Sequence, residues 1–270
     1  METGETDKVL ETKVEPFGLL LRWDGFEVQW AWMSKIDNLV NYSFGAREVN
    51  QPSMLPEVIR ALKSRSEALE TVLYSRRFSP VTMLPAIVLE SSDESASMWF
   101  NFHNAVALES MSSDNKSLLR KQHLESVEGE PVFIEKTDEN WEFAVINSFP
   151  QARGIVNRAA DMKLAVADSR QNSGKWVIRV DVGKRGADFV AASEGKAVWS
   201  GYSEEGNVEG MLYDIVNVMH RDGKGPEDLI IRISGEGAVD LKSSLSRFFK
   251  DIHLLGDTDF EGLKSLALCG

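Results

Sequence analysis

Three short glycine-bearing bends hold the residues of this chain whose types and spacing suit binding chemistry. Asp24 and Gly25 sit between the β-rich runs Leu19–Trp23 and Phe26–Trp32. Asp181, Gly183, Lys184 and Gly186 sit between Lys175–Val182 and Ala187–Ser193. Gly235, Glu236 and Gly237 follow the apolar run Leu229–Ile233 and precede a helical pattern. Asp and Gly tolerate the positive φ of tight turns, so the first two sites read as β-hairpins and the third as a strand-to-helix turn. The spacing at the first predicts a tight two-residue turn, and at the second a wider loop whose Lys184 and Arg185 can meet an anion. A solvated hairpin tip accounts for the same basic residues without any ligand.

Other catalytic patterns do not compete. His103, His123, His220 and His253 are widely separated, and none has a partner at metal-ligand spacing. The stretch Ile233–Gly237 is not a hydrolase nucleophile elbow, because Arg232 and Ile233, not a glycine, lead into Ser234. Gly223 to Gly225 lacks Walker spacing and ends a helix. Glu204, Glu205 and Glu209 open the helix expected over Glu204–His220, where acids favour the positive dipole end; a water-positioning role is the rarer reading. Trp23, Trp30 and Trp32 are expected on different faces, as core and half-buried strand residues. Trp99, Phe100 and Phe102 are candidates for a ligand groove.

The elements that must position these bends occur twice, about 155 residues apart. In the first half, strands over Leu19–Trp23, Phe26–Trp32 and Asn38–Phe44 precede a helix over Met54–Lys63. Its apolar residues recur at 55, 58, 59 and 62, with Ser53 as N-cap. Glu70–Phe78 is then a strand and Val81–Pro85 a loop. In the second half, strands over Lys175–Val182, Ala187–Ser193 and Ala197–Tyr202 precede the helix to His220, a strand at Asp228–Ser234, a helix at Val239–Phe249 and a last strand at Ile252–Leu255. Between them, Asn104–Phe149 reads as an inserted subregion with a strand at Glu139–Phe149, and Val156–Ala167 as a linking helix. The expected organisation is a loose leader over 1–15, a first lobe over 16–150 and a second over 151–270.

This repeated order resembles the actin-like ATPase fold of actin, sugar kinases, chaperone ATPase domains, FtsA and PilM. It also resembles an uncharacterised bacterial family of unknown function with that fold, in which Val81–Ala86 and Trp99–Phe102 fit the pattern. Val180–Gly183 with Ala187–Val190 looks like the second phosphate loop, Trp23–Gly25 stands in the place of the first, and Leu229–Ala238 looks like the adenosine loop. The implied fold class is α/β, with duplicated ribonuclease H-like lobes, each a mixed sheet led by an antiparallel hairpin and flanked by helices. The resemblance implies ATP with Mg²⁺ as ligand, held by backbone N–H groups of facing loops and a carboxylate. Asp24, Gly25, Asp181, Gly183, Lys184, Gly186, Gly235, Glu236 and Gly237 carry that role by position. The sequence departs from the pattern where Gly25 follows Asp24 directly, with bulky Phe26 next, and where Glu236 replaces a glycine. The departures imply a degenerate site and a non-catalytic scaffold or partner-binding protein. The alternative is an active ATPase or kinase working through the second phosphate loop and the adenosine loop.

Composition bounds the partners. The 270 residues are 43% hydrophobic and carry a net charge of −12, which disfavours nucleic acid and anionic lipid. A protein partner fits better, and a basic one best. No run approaches the ~20 apolar residues of a membrane span, and the acidic start does not read as a secretory signal. The lone Cys269 cannot form an internal disulfide. These features suggest a cytoplasmic protein, with its oligomeric state left open.

Overall fold

The computed structural model describes residues 15–65, 69–89, 93–104, 119–203, 208–256 and 259–269. Residues 1–14 of the expected leader, Glu204 and Glu205 lie outside these residues.

Two five-stranded sheets dominate. The first contains β1 (Gly18–Trp23), β2 (Glu27–Ile36), β3 (Leu39–Glu48), β4 (Thr71–Arg76) and β8 (Arg153–Gly154), in the order β3-β2-β1-β4-β8. The second contains β9 (Trp176–Gly183), β10 (Gly186–Ser193), β11 (Lys196–Ser203), β12 (Leu229–Gly235) and β13 (Ile252–Leu254), in the order β11-β10-β9-β12-β13. Both sheets therefore place their strands as third, second, first, fourth, fifth. In each, the first three strands are antiparallel, and the fourth and fifth join in parallel. That identity of order and direction is the duplication expected from the sequence.

Alternation along the strands explains the layers. Leu19, Leu21 and Trp23 face one side of the first sheet and pack on Val58, Ile59 and Leu62 of α1 (Leu55–Lys63) and on Trp141 and Val145 of α3 (Glu139–Ser148). Ile178, Val180 and Val182 face the outer side of the second sheet and meet Met211 and Ile215 of α5 (Val208–Arg221) and Leu241 and Leu245 of α6 (Ala238–Leu245). The opposite faces of the two sheets look toward each other across α4 (Asn157–Gln171). Every residue from Asn157 to Met162 is buried, as a helix packed on several sides requires. The short C-terminal helix α7 (Glu261–Lys264) and the turn after it return to the inner face of the first sheet, where Leu263 and Leu266 meet Leu20 and Leu73.

Between β4 and β8 the chain builds a third, three-stranded sheet in the order β5-β7-β6, from β5 (Val81–Pro85), β6 (Leu119–His123) and β7 (Pro131–Lys136). The helix α2 (Asp93–His103) packs on it through Ala96 and Phe100.

Several expectations are corrected. Val81–Pro85 is a strand, not a loop: Pro85 ends it, and Val81 to Leu84 pair with β7. Glu139–Phe149 is a helix: Asp138 caps it by accepting hydrogen bonds from the N–H groups of Asn140 and Trp141. Ser53 does not cap α1; it lies in a 3₁₀ turn over Pro52–Met54, and Met54 takes the N-cap position without a side-chain bond. The three tryptophans do share a face. Trp23 lies opposite Val28, so Trp30 and Trp32, two and four residues on, pack against the same core. Trp99, Phe100 and Phe102 do not line one groove: Phe100 is buried while Phe102 is 74% exposed.

Candidate functional site

The three bends converge where the two sheets face each other, and their turn lengths reverse the expectation. Between β1 and β2 run three residues, Asp24, Gly25 and Phe26. Asp24 Oδ1 accepts from the N–H groups of Phe26 at 2.9 Å and Glu27 at 2.7 Å, which spends that carboxylate oxygen on its own turn. Between β9 and β10 only Lys184 and Arg185 remain, because Gly183 and Gly186 form the last strand pair. The second hairpin is thus the tight one.

Register also shows which residues correspond across the repeat. Arg22 pairs with Gln29 and lies beside Ser75; Asp181 pairs with Asp188 and lies beside Ser234. An arginine in the first lobe therefore occupies the sheet position that an aspartate holds in the second. The two meet: Arg22 Nη1 is 2.7 Å from Asp181 Oδ2, and both side chains are buried. Gln29 Oε1 accepts from Arg22 Nη2 at 2.8 Å and Nε at 3.2 Å. Arg77 Nε approaches the same Asp181 oxygen at 3.0 Å, an ion pair without hydrogen-bond alignment. Burial holds the Arg22 pKa down at about 10, with the neighbouring Arg77 charge adding to the effect.

The segment after β4 reaches into the second lobe. Phe78 has φ +51°, a left-handed conformation costly for a bulky residue, and its N–H donates to Asp188 Oδ2 at 3.3 Å. Its ring covers the two glycines of the second hairpin. A Cβ at Gly183 would lie 2.7 Å from Phe78 Cζ, and one at Gly186 would lie 3.1 Å from Phe78 Cγ. Gly183 gives close approach to the ring of Phe78, which Arg77 in turn covers at 4.4 Å, while a Cβ at Gly186 would first strike the Ser203 carbonyl oxygen. Because φ at Phe78 is positive, Phe78→Gly is expected to be more stable than Phe78→Ala by about 1 kcal/mol in urea unfolding. Equal stabilities would show that the backbone there is unstrained.

Around this centre the buried polar groups continue through α4. Asn157 Nδ2 donates to Asp188 Oδ2 at 3.2 Å and reaches Asp161 Oδ2 at 3.5 Å. Arg158 donates to the Ser79 carbonyl and lies 3.5 Å from Asp188 Oδ1. Ser79 donates to Glu135, which Arg120 pairs at 3.0 Å. Burial raises the pKa of Asp161 to about 7, the Asp181 charge adds to it, and Arg179 and Arg22 oppose it. Burial likewise raises Asp188 against the pull of Arg158 and Arg77. Sequence reading missed Arg22, Arg77, Arg158, Asp161 and Asp188; for Arg22 and Asp188 the available signal was a charge inside an apolar strand, and for Arg77, Arg158 and Asp161, which have charged neighbours in sequence, there was none.

At the rim, Lys184 Nζ lies 3.2 Å from Glu236 Oε1 and 3.9 Å from Glu27 Oε2, and Arg185 covers the ring of Phe26. These contacts tie the hairpin tips of the two lobes together around a small cavity of about 150 Å³. Gly235 and Gly237 have φ of +94° and +85°. A Cβ on Gly235 would strike the Val182 carbonyl oxygen at 2.1 Å, so glycine is required there by both conformation and space. The structure thus brings Asp24, Gly25, Asp181, Gly183, Lys184, Gly186, Gly235, Glu236 and Gly237 to one region.

Among the described residues no three His, Cys, Asp or Glu side chains group as a metal site, although His253 Nε2 and Asp251 Oδ1 touch at 2.5 Å. Nor is any described helix long and apolar enough to cross a membrane.

No family model and no curated protein matches the sequence. Solved structures do match. A Bacteroides thetaiotaomicron protein with actin-like ATPase fold and unknown function aligns at TM-score 0.77 and 17% identity, over 96% of this chain and 98% of that one. The chain has the actin-like ATPase fold. The PilM–PilN type IV pilus biogenesis complex aligns at TM-score 0.60 and 13% identity, over 94% of this chain and 98% of the matched one. In actin-like terms, the two equivalent sheets are the cores of the two lobes, and Arg22, Asp181 and Phe78 fill the ground between them.

Proposed function

We infer that this actin-like protein is a cytoplasmic, non-catalytic scaffold or partner-binding module whose nucleotide site is degenerate. The observation that carries this reading is the Phe78 ring lying over Gly183 and Gly186, with Arg22 and Arg77 on Asp181. Glycine at a phosphate loop serves to let phosphate oxygens reach backbone N–H groups. Here the protein's own aromatic ring occupies that approach. A carboxylate that would hold Mg²⁺ through water is instead neutralised by two buried guanidinium groups. The residues present do not fit a Mg-triphosphate. A protein partner suits the fold, since one neighbour is a complex of two proteins.

The rival reading, an ATPase or kinase, keeps Gly235 and Gly237 in the left-handed turn that leads into α6. Titration calorimetry with Mg-ATP separates the two. The expected result is no binding tighter than about 100 μM, which corresponds to roughly 5.5 kcal/mol. A tighter constant for the unaltered protein overturns the scaffold reading. The Phe78→Gly variant adds a second arm: nucleotide binding that appears only there identifies the ring as the obstruction.

A further inference from the structure

Each lobe sends its last helix across to the other. α4 follows β8, the fifth strand of the first sheet, and packs on the second sheet, where Ala159, Met162 and Val166 cluster with Val190 and Ala192. α7 follows β13, the fifth strand of the second sheet. With the 3₁₀ turn Ser265–Cys269 it lies on the first sheet, where Leu263, Leu266 and Cys269 cluster with Leu20, Ala31, Met33 and Leu73. The two helices differ in what holds them. α4 has 15 residues and α7 has four. A helix of one turn has no stability of its own, and Phe260 at its N-cap supplies no side-chain bond. Among the described residues, no main-chain hydrogen bond joins Phe260–Cys269 to either sheet. Side chains hold it instead: the apolar anchors, the Phe260 ring stacked on Phe44 at 5.4 Å, and Lys163 Nζ donating to the Leu268 carbonyl at 3.3 Å.

The segment covers the ion pair that joins the lobes. A Cβ at Gly262 would fall 2.5 Å from Asp181 Oδ1 and 2.9 Å from Arg22 Nη1. One backbone position thus touches a first-lobe cation and a second-lobe anion at once. Both are pinned, Arg22 by Gln29, and Asp181 by Arg77 and by Ser234 Oγ, which donates at 3.3 Å. Neither can yield to a side chain at position 262. The α7 backbone also approaches β1 and β2 on one side and β12 on the other. Undocking admits water to the pair, and the attraction between two charges falls several-fold between a protein interior and water. A short element with few buried anchors and no main-chain tie is the kind that opens locally, below the cost of global unfolding. We propose that Phe260–Cys269 is a releasable clasp over the Arg22–Asp181 junction, and that its undocking precedes separation of the two lobes. This goes beyond the scaffold reading and stands whether or not nucleotide binds.

Cys269, the chain's one cysteine and buried within the clasp, reports its release. Alkylation of its thiol by iodoacetamide, read by mass spectrometry on the full chain, is followed from zero urea up to the unfolding transition. Local release exposes little surface, so the logarithm of the labelling rate should climb with urea at less than half the slope set by global unfolding. Gly262→Ala should label at least tenfold faster, again at the shallow slope and with unchanged circular dichroism. The alkylated segment cannot redock over its added group, so small-angle X-ray scattering should give a larger radius of gyration than for the untreated chain. If alkylation unfolds the chain, Leu263→Asp, whose charge keeps the segment in water, takes its place in the scattering arm. A labelling slope equal to the global one, a Gly262→Ala rate equal to that of the unaltered chain, or an unchanged radius of gyration overturns the proposal. So does loss of circular dichroism in both the alkylated protein and Leu263→Asp, because the segment would then belong to the core.

Discussion

Replacing Asp181 with Ala is expected to cost about 3–5 kcal/mol in urea or thermal unfolding, the largest single-residue effect at the lobe junction. The variant leaves Arg22 and Arg77, both buried, facing each other without the carboxylate that contacts both, and only the more distant Asp161 and Asp188 remain to offset them. Breaking a buried ion pair from one side costs this much because the remaining charge keeps its desolvation penalty. The same argument makes the effect asymmetric. Arg22→Met removes one cation but leaves Asp181 beside Arg77, so it should cost at least 1 kcal/mol less than Asp181→Ala. Gln29 loses a partner in that variant, yet it keeps its own donation to Glu27 at 2.8 Å. A double-mutant cycle between the two positions should show coupling of about 1–3 kcal/mol. An Asp181→Ala cost below about 1 kcal/mol, or an equal cost for Arg22→Met, would mean that water reaches the centre and screens it.

The duplication was legible because turn chemistry is local. Asp and Gly mark both leading hairpins, and apolar strands such as Leu229–Ile233 stand between breakers whatever the rest of the chain does. Glu139–Ser148 was misread because Phe143 to Ile146 is an unbroken apolar run that suits a strand as well as a buried helix. Its N-cap, Asp138, was the local clue. The hairpin loops were misjudged for a different reason. Loop width depends on where strand pairing stops, and Gly183 pairs with Gly186 because the Phe78 ring, a hundred residues earlier in sequence, packs over both.

The candidate site was half visible. Its glycines and Asp181 carry recognisable spacing, but the cations that neutralise Asp181 carry none. Arg22 is one charge in Leu19–Trp23, and nothing local says whether its guanidinium faces solvent or an aspartate 159 positions away. Correspondence between the lobes supplies what sequence spacing could not. Once β1 and β9 are seen as equivalent strands, Arg22 falls on the position of Asp181, two residues before the acid that the first hairpin displays. A repeat that places opposite charges at equivalent positions across its own axis draws its halves together. It thereby closes the ground that facing loops would need for a ligand.

That closure has a consequence for pH. Folding holds the Asp161 pKa at about 7, against an ordinary value of 3.8, chiefly by burial and next by the Asp181 charge. A carboxyl raised by folding binds its proton more tightly in the native state, so its contribution to stability is full below about pH 4. It is lost progressively as pH rises toward 7, with a slope of at most about 1.4 kcal/mol per pH unit for one proton. Asp188 and Glu135 are raised in the same direction by burial, so they steepen the fall. Asp161→Asn keeps the shape and can still accept from Asn157 Nδ2, but it has no charge to desolvate. The difference in stability between the two proteins is expected to move by about 1–3 kcal/mol in favour of the variant between pH 5 and pH 8. Urea midpoints measured from pH 5 to 8 on both proteins check this. If the two curves run parallel, Asp161 stays ionised throughout, and the junction is wetter than its burial implies.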